Sequence, residues 1–263
     1  MNRFRALHVD GIFVMPNPWD VGSAKLLASL GFEALATTSA GLAWSLGKLD
    51  MQVSREELVA HVARIAAATP LPLNVDSERC FPDEPGGVAE TVRMLADAGA
   101  AGCSIEDFDP AAGEIEALEV TAERVAIAAD AEPIVLTARA ENHLHGVDDL
   151  DDTIARLLAY RDAGADVVYA PGLADLDSIA RVVEAVGIPV NVLALPNGPS
   201  VSELASIGVR RVSTGGALAK AAYGALLTGA EELRDAGTSR YSESGAPAEA
   251  LRAAFVHGYT SAP

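Results

Sequence analysis

Ala96-Asp97-Ala98-Gly99-Ala100-Ala101-Gly102-Cys103-Ser104-Ile105-Glu106-Asp107 carries a helix-like end, one glycine, and an apolar run closed by two carboxylates. A glycine just past a helix takes the left-handed cap conformation at little steric cost. The apolar run after it reads as a buried parallel strand. The same junction recurs at Leu30-Gly31-Phe32, Ala163-Gly164-Ala165, Val186-Gly187-Ile188 and Ile207-Gly208-Val209. Strand, helix, glycine, strand is a βα unit. Its repetition in one chain predicts an α/β fold, a (β/α)8 TIM barrel. Chemistry in such a barrel sits at the carboxyl ends of the strands, so the polar residues closing each apolar run become the candidates.

Working outward from these junctions, the spacing predicts eight strands, at residues 11–15, 34–38, 72–76, 102–106, 133–139, 166–170, 189–193 and 210–214. Helices are expected between them. Asp20 is positioned to cap one, and Ser54 with Glu57 forms a capping box opening another. Residues 1–236 make up the barrel. Residues 237–263 follow as a linker rich in Ser, Gly and Ala and then a helix, Ala248 to Val256, outside the eightfold count. That extra helix either packs on its own barrel or reaches a neighbouring subunit, and packing on a partner subunit is the expectation.

The chain has 263 residues, half of them hydrophobic, so it can bury a large core. Its net charge of -18 argues against nucleic acid and anionic membrane surfaces, which select basic patches. No run of about 18 apolar residues is present to span a bilayer. No apolar h-region follows the first five residues, so a cytoplasmic location is expected. Cys80 and Cys103 lack zinc spacing, and Cys103 reads as a core thiol.

At the strand ends, Asp76 and Glu78 lie two apart and in extended backbone point the same way. Glu106 closes the next strand, close enough to approach them. Three carboxylates at one mouth repel unless a cation joins them, and oxygen ligands without His or Cys favour Mg2+ or Mn2+. The alternative is that they are loop carboxylates or helix caps. Arg139 closes the 133–139 run, across the mouth from the carboxylates, where it would clamp a substrate carboxylate in bidentate fashion. A salt bridge neutralising the acidic cluster is the other reading. Asn191 closes a further strand. Backbone N–H groups near Gly215, in Ser213-Thr214-Gly215-Gly216, and in Thr38-Ser39-Ala40-Gly41 are expected to face an anion.

Pro16-Asn17-Pro18-Trp19-Asp20, Thr37-Thr38-Ser39-Ala40-Gly41, Val75-Asp76-Ser77-Glu78, Ser104-Ile105-Glu106-Asp107, Thr137-Ala138-Arg139 and Pro189-Val190-Asn191-Val192 run through the chain in order. With Val212-Ser213 and Ala217-Leu218-Ala219, they resemble the isocitrate lyase and phosphoenolpyruvate mutase superfamily. The nearest branch is carboxyphosphonoenolpyruvate phosphonomutase-like or oxaloacetate decarboxylase-like. The resemblance implies a Mg2+-dependent barrel, a homotetramer built as a dimer of helix-swapped dimers. It implies Asp76, Glu78 and Glu106 at the metal and Asp50 holding metal-bound water. It implies Thr38, Ser39 and Ala40 on the substrate, Arg139 as the substrate arginine, and Asn191 in the pocket wall.

Two departures qualify this. After Glu78 the chain reads Arg79-Cys80-Phe81-Pro82 in place of the superfamily's Gly-Tyr-Gly, with Cys80 read as a bystander thiol. After Glu106 it reads Phe108-Asp109-Pro110-Ala111-Ala112-Gly113-Glu114, where the lyases of the superfamily carry a gating motif whose cysteine is the acid/base. His143 and His145 are the available substitutes in the next loop. Trp19 and Trp44 read as packing. The expectation is a carbon–carbon lyase or decarboxylase acting on a small 2-oxo acid or malate-type diacid, with Arg139, Asp50 and Ser39 in catalysis. Phosphonopyruvate chemistry or a non-catalytic oxo-acid-binding barrel are the alternatives.

Overall fold

The computed structural model describes residues 3–256 of the chain. Eight parallel strands form its centre: β1 (Phe13–Met15), β2 (Leu35–Ala36), β3 (Leu73–Asp76), β4 (Gly102–Glu106), β7 (Val135–Arg139), β8 (Val167–Tyr169), β9 (Val190–Leu193) and β10 (Arg211–Ser213). Their order is β1-β10-β9-β8-β7-β4-β3-β2. The two ends nearly close on each other, where the Ala36 N–H donates to the Pro16 carbonyl at 3.1 Å. This is the expected (β/α)8 TIM barrel.

Helices α2 (Val21–Ser29), α4 (Arg55–Ala68), α5 (Gly87–Asp97), α6 (Leu118–Ala131), α7 (Leu150–Asp162), α8 (Leu176–Val186) and α9 (Val201–Ser206) follow the strands. Both capping signals operate. Asp20 forms a capping box with Ser23, and Ser54 forms one with Glu57. The glycine junctions have a packing reason as well as a conformational one. Gly99 stands at φ 100° and Gly164 at φ 109°. A Cβ on either would come within 2.8 Å of an alanine Cβ, Ala66 or Ala129, on the preceding helix. A side chain there would both strain the cap and push neighbouring helices apart.

Helix α1 (Arg3–Ala6) closes the amino-terminal end, with Phe4 fully buried in a cluster with Phe13, Met15, Val135 and Val167. Two elements were not foreseen. Helix α3 (Ser39–Ser45) starts directly at the end of β2, capped by Thr38. A short antiparallel hairpin, β5 (Phe108–Asp109) with β6 (Glu114–Ile115), occupies the segment after β4 expected to be an irregular loop.

Helix α11 (Ala248–Val256) does not stand away from its barrel. It lies against α2 of the same chain and buries Ala254 there. The helix short of cover is α10 (Ala217–Ala236), in which only Ala219 and Gly229 are buried. Leu226 and Leu227 are 64% and 63% exposed. Of the segment 237–263 assigned to the C-terminal unit, residues 257–263 lie outside the described residues.

Candidate active site

Strand ends, α3 and the turn before α10 surround a cavity of about 200 Å³ at the carboxyl face of the barrel. Thr38, Ser39, Ala40, Asp50, Asp76, Arg139, Asn191 and Gly215 all line it. Glu78 and Glu106 stand beside this group rather than on the cavity wall.

Arg139 is not across the mouth from the carboxylates. Strand β7 pairs directly with β4, and the register sets Glu106 beside Arg139. Arg139 Nη1 lies 2.7 Å from Asp76 Oδ1 and 3.1 Å from Glu106 Oε2, and its Nε donates to Glu141 Oε1 at 2.7 Å. The guanidinium also sits 5.4 Å from the centre of the Tyr169 ring. Burial works against the Arg139 charge, but Glu141, Glu106 and Asp76 outweigh it and raise its pKa. The neutralising salt bridge is therefore present in the structure.

Glu78 is not in extended backbone either. The strand ends at Asp76, and Glu78 adopts φ 52°, in the left-handed region. Its carbonyl accepts the Glu106 N–H at 3.0 Å, which is what keeps the two acids together. Burial first, and then Asp76 and Asp50, push the Glu78 pKa up to about 8. Burial likewise raises Glu106, with Arg139 opposing it. Asp50, at the rim, is raised by desolvation of its carboxyl and by Asp76.

This donor set is one of hard oxygens with a surplus of negative charge, and in chemistry it fits Mg2+ or Mn2+. Among the described residues, however, no three His, Cys, Asp or Glu side chains converge on a common ion position. The Arg139 guanidinium bridges Asp76 and Glu106.

Three backbone donors expected to face an anion are engaged within the protein. The Ser39 N–H donates to Asp76 Oδ2 at 3.0 Å. The Gly215 and Thr214 N–H groups donate to Asn17 Oδ1 at 3.0 and 2.9 Å, and the Asn17 amide reaches the Thr37 carbonyl at 2.6 Å. Asn17 thus ties the end of β10 to the end of β2.

Sequence reasoning missed the cavity floor. Asn74, Ser104, Tyr169, Ser213 and Arg211 all line the cavity. Arg211 is 1% exposed and donates to Asn191 Oδ1 at 2.8 Å and Thr137 Oγ1 at 2.9 Å. The available signal was Arg210-Arg211 inside a short apolar strand, since alternation forces one of two adjacent residues inward.

The hairpin after β4 is anchored by a charged network. Buried Asp107 accepts from Tyr160 Oη at 2.7 Å, from the Glu141 N–H at 2.8 Å and from Arg156 at 3.2 Å. Glu116 joins Arg79 at 2.6 Å to Arg124 at 2.5 Å. His145 stacks on Phe108 with ring centroids 3.5 Å apart, and His143 meets Thr153 Oγ1 at 3.2 Å. Neither histidine lines the cavity; Leu144 between them does. Cys80 is buried, and burial pushes its pKa up to about 12, which fits a bystander thiol rather than a nucleophile. Trp44 packs edge-on against Tyr223, 6.3 Å between centroids. Tyr160→Phe should destabilise the fold by about 1.5–3 kcal/mol, the range for a hydrogen bond to a charged group. Urea unfolding measures this, and an unchanged midpoint would remove the Asp107 network as the hairpin's anchor.

Comparison with known proteins follows the same lines. The family model described as phosphoenolpyruvate phosphomutase matches residues 4–234. A Burkholderia cenocepacia crystal structure described as a lyase/mutase superposes with a TM-score of 0.92 at 51% identity, covering 99% of this chain and 97% of its own. The 2-methylisocitrate lyase of Salmonella typhimurium is 31% identical over 179 residues, 64% of this chain and 60% of that enzyme. The oxaloacetate decarboxylase of Paraburkholderia xenovorans is 30% identical over 217 residues, 75% and 69% of the two chains. Among the described residues no helix is long and apolar enough to cross a membrane.

Proposed function

The chain belongs to the phosphoenolpyruvate phosphomutase family, and from that premise we propose that it is a Mg2+- or Mn2+-dependent enzyme that cleaves a carbon–carbon bond next to the keto or hydroxyl carbon of a small 2-oxo acid or malate-type diacid. The observation that carries the proposal is the contact line Asp76–Arg139–Glu106 at the mouth of a small polar cavity. It sets a fixed cation and a hard anion, Arg139 and Asp76, on one wall, with Glu106 beside them, an arrangement suited to an oxo acid. A volume near 200 Å³ suits a metabolite of a few carbons, well under the range for drug-sized ligands.

Asp76, Glu78 and Glu106 are the residues that would hold the ion, with Asp50 next to them. The ion supplies Lewis-acid stabilisation of negative charge developing on a substrate oxygen. The chain's own groups do the rest. Arg139, fixed by Glu106 and Glu141, presents its remaining Nη donors to the substrate carboxylate. Ser39, tied to Asp76, keeps α3 and its preceding Thr38 against the cavity, with Ala40 on the same wall. Asn191 fixes the opposite wall through Ser213 at 2.9 Å. Leu144 adds an apolar group to the cavity wall.

The test is to assay the purified protein with oxaloacetate, substituted malates, phosphonopyruvate and isocitrate, with Mg2+ and then with excess EDTA. Carbon–carbon cleavage of a small diacid, abolished by EDTA and restored by Mg2+ or Mn2+, is the expected result. Isocitrate and 2-methylisocitrate should turn over poorly, because the segment Phe108 to Glu114 offers no Cys, Lys or His to act as acid. Full activity in EDTA would overturn the metal requirement. Phosphonopyruvate turnover alone would move the reading to phosphorus–carbon chemistry.

The exposed apolar face of α10 supports an oligomer of exchanged helices, a tetramer of paired subunits, with α10 rather than α11 as the exchanged element. Leu226→Asp with Leu227→Asp should lower the assembly state in light scattering. A monomeric unmodified chain at micromolar concentration would refute this.

A further inference from the structure

The reading of the mouth as an oxo-acid site, on which this inference rests, leaves one buried cation without a task. Arg211 faces the barrel interior from β10 and lines the floor of the same cavity whose wall holds Asp76 and Arg139. Its hydrogen-bond partners are neutral: Asn191 Oδ1, Thr137 Oγ1, and His8 Nε2 at 3.3 Å. His8 is uncharged, because burial and the Arg211 charge push its pKa down to about 4. Its Nδ1 lies 2.9 Å from the Phe4 carbonyl, which assigns the ring proton there and leaves Nε2 to accept from Arg211. Among the described residues Arg211 makes no ion pair. A guanidinium has five N–H donors, and these three contacts do not use them all.

An isolated buried charge is costly unless something completes it. Barrel interiors are ordinarily filled with branched apolar side chains. Here Asn74, Ser104, Thr137, Asn191 and Arg211 make the floor polar. The floor is thus built for a polar occupant. Arg139, by contrast, already meets three carboxylates through Nη1 and Nε and keeps only its remaining Nη donors for a ligand. The same cavity is therefore lined by the Asp76–Arg139 pair at its mouth and by Arg211 at its floor.

We propose that Arg211 receives a second, terminal carboxylate of the substrate, so that the cavity selects short dicarboxylic acids over monocarboxylic acids of the same length. The oxygens at the other end of the molecule face the Asp76–Arg139 wall.

The experiment is calorimetric titration of the Mg2+-loaded protein with three probes. Oxalate is too short to reach the floor. Malate and 2-hydroxybutyrate have the same chain length and differ in the terminal group. The unmodified protein should bind malate at least about tenfold more tightly than 2-hydroxybutyrate. Arg211→Gln should lose at least about tenfold in malate affinity while oxalate and 2-hydroxybutyrate change by less than about threefold. Equal binding of malate and 2-hydroxybutyrate by the unmodified protein overturns the proposal, even if Arg211→Gln does not fold. An equal loss for all three probes in Arg211→Gln also overturns it, because Arg211 would then be holding the barrel rather than the ligand. Absence of binding for every probe, oxalate included, overturns the oxo-acid reading itself and this inference with it.

Discussion

Asp76→Asn is expected to lower kcat/KM for the best oxo-acid substrate by about 10³-fold, or about 4 kcal/mol of transition-state stabilisation. Asp76 stands where three elements meet. It ends β3, its Oδ1 meets the Arg139 guanidinium at 2.7 Å, and its Oδ2 accepts the Ser39 N–H at 3.0 Å. Its own N–H donates to Thr37 Oγ1 at 2.9 Å, so the backbone position survives the substitution. Asparagine keeps the volume but removes the charge. It also turns an amide NH2 toward either Arg139 or the Ser39 N–H, where only an acceptor fits. The cation site loses a charged oxygen ligand, and Arg139 loses one of the groups that fix its orientation. Because the replacement is isosteric and the side chain is not fully buried, the fold should be retained. Steady-state kinetics alongside thermal unfolding separate the two effects. A loss of less than about tenfold in a folded variant would remove Asp76 from the centre of the site.

Much of this was legible in the chain because it is local. The five glycine junctions mark helix ends whose φ values are all positive, and the residue after each junction opens a barrel strand or its approach. Ser54 with Glu57 and Asp20 announce helix starts through side chains three residues apart. The strand-closing residues Asp76, Glu106, Arg139 and Asn191 were found because βα topology puts them at one end. What was not legible is lateral. That Arg139 neighbours Glu106 follows from 102–106 and 133–139 being consecutive barrel strands, but their register, Glu106 beside Arg139, was not legible. That Glu78 leaves the extended conformation depends on Glu106 N–H binding its carbonyl from another strand. Helix α3 was hidden because Ser39 to Ser45 is short and its cap, Thr38, was read as a ligand loop. Arg211 was passed over because a charged residue in a buried strand looks like an error until its neutral partners are seen.

Arg139→Met should destabilise the protein by about 3–5 kcal/mol near neutral pH, the cost of breaking a buried ion pair from one side. Three carboxylates surround this guanidinium, and the side chains of Glu141 and Glu106 are only 2% and 8% exposed. Without the cation they face one another in a poorly solvated space. Burial already raises the pKa values of Glu106 and Glu141, with Arg139 the main opposing influence on each. Removing it raises both further. A carboxyl group whose folded pKa lies above its unfolded value of about 4.3 holds more protons in the native state across that interval, so stability falls as pH rises through it. The loss caused by Arg139→Met should therefore be larger at pH 8 than at pH 5, where the two acids are nearer to being protonated. Arg139→Lys keeps a charge but not the planar fork that meets Glu141 through Nε and Asp76 and Glu106 through Nη1. It should fold more stably than the methionine variant and still lose at least about tenfold in kcat/KM, about 1.4 kcal/mol. Urea unfolding of both variants at the two pH values, with kinetics on the lysine variant, tests the pair. A methionine variant whose deficit is equal or smaller at pH 8 would mean that Glu106 and Glu141 find other partners. A lysine variant with unchanged kinetics would confine Arg139 to holding the acids together, with no part in orienting a substrate.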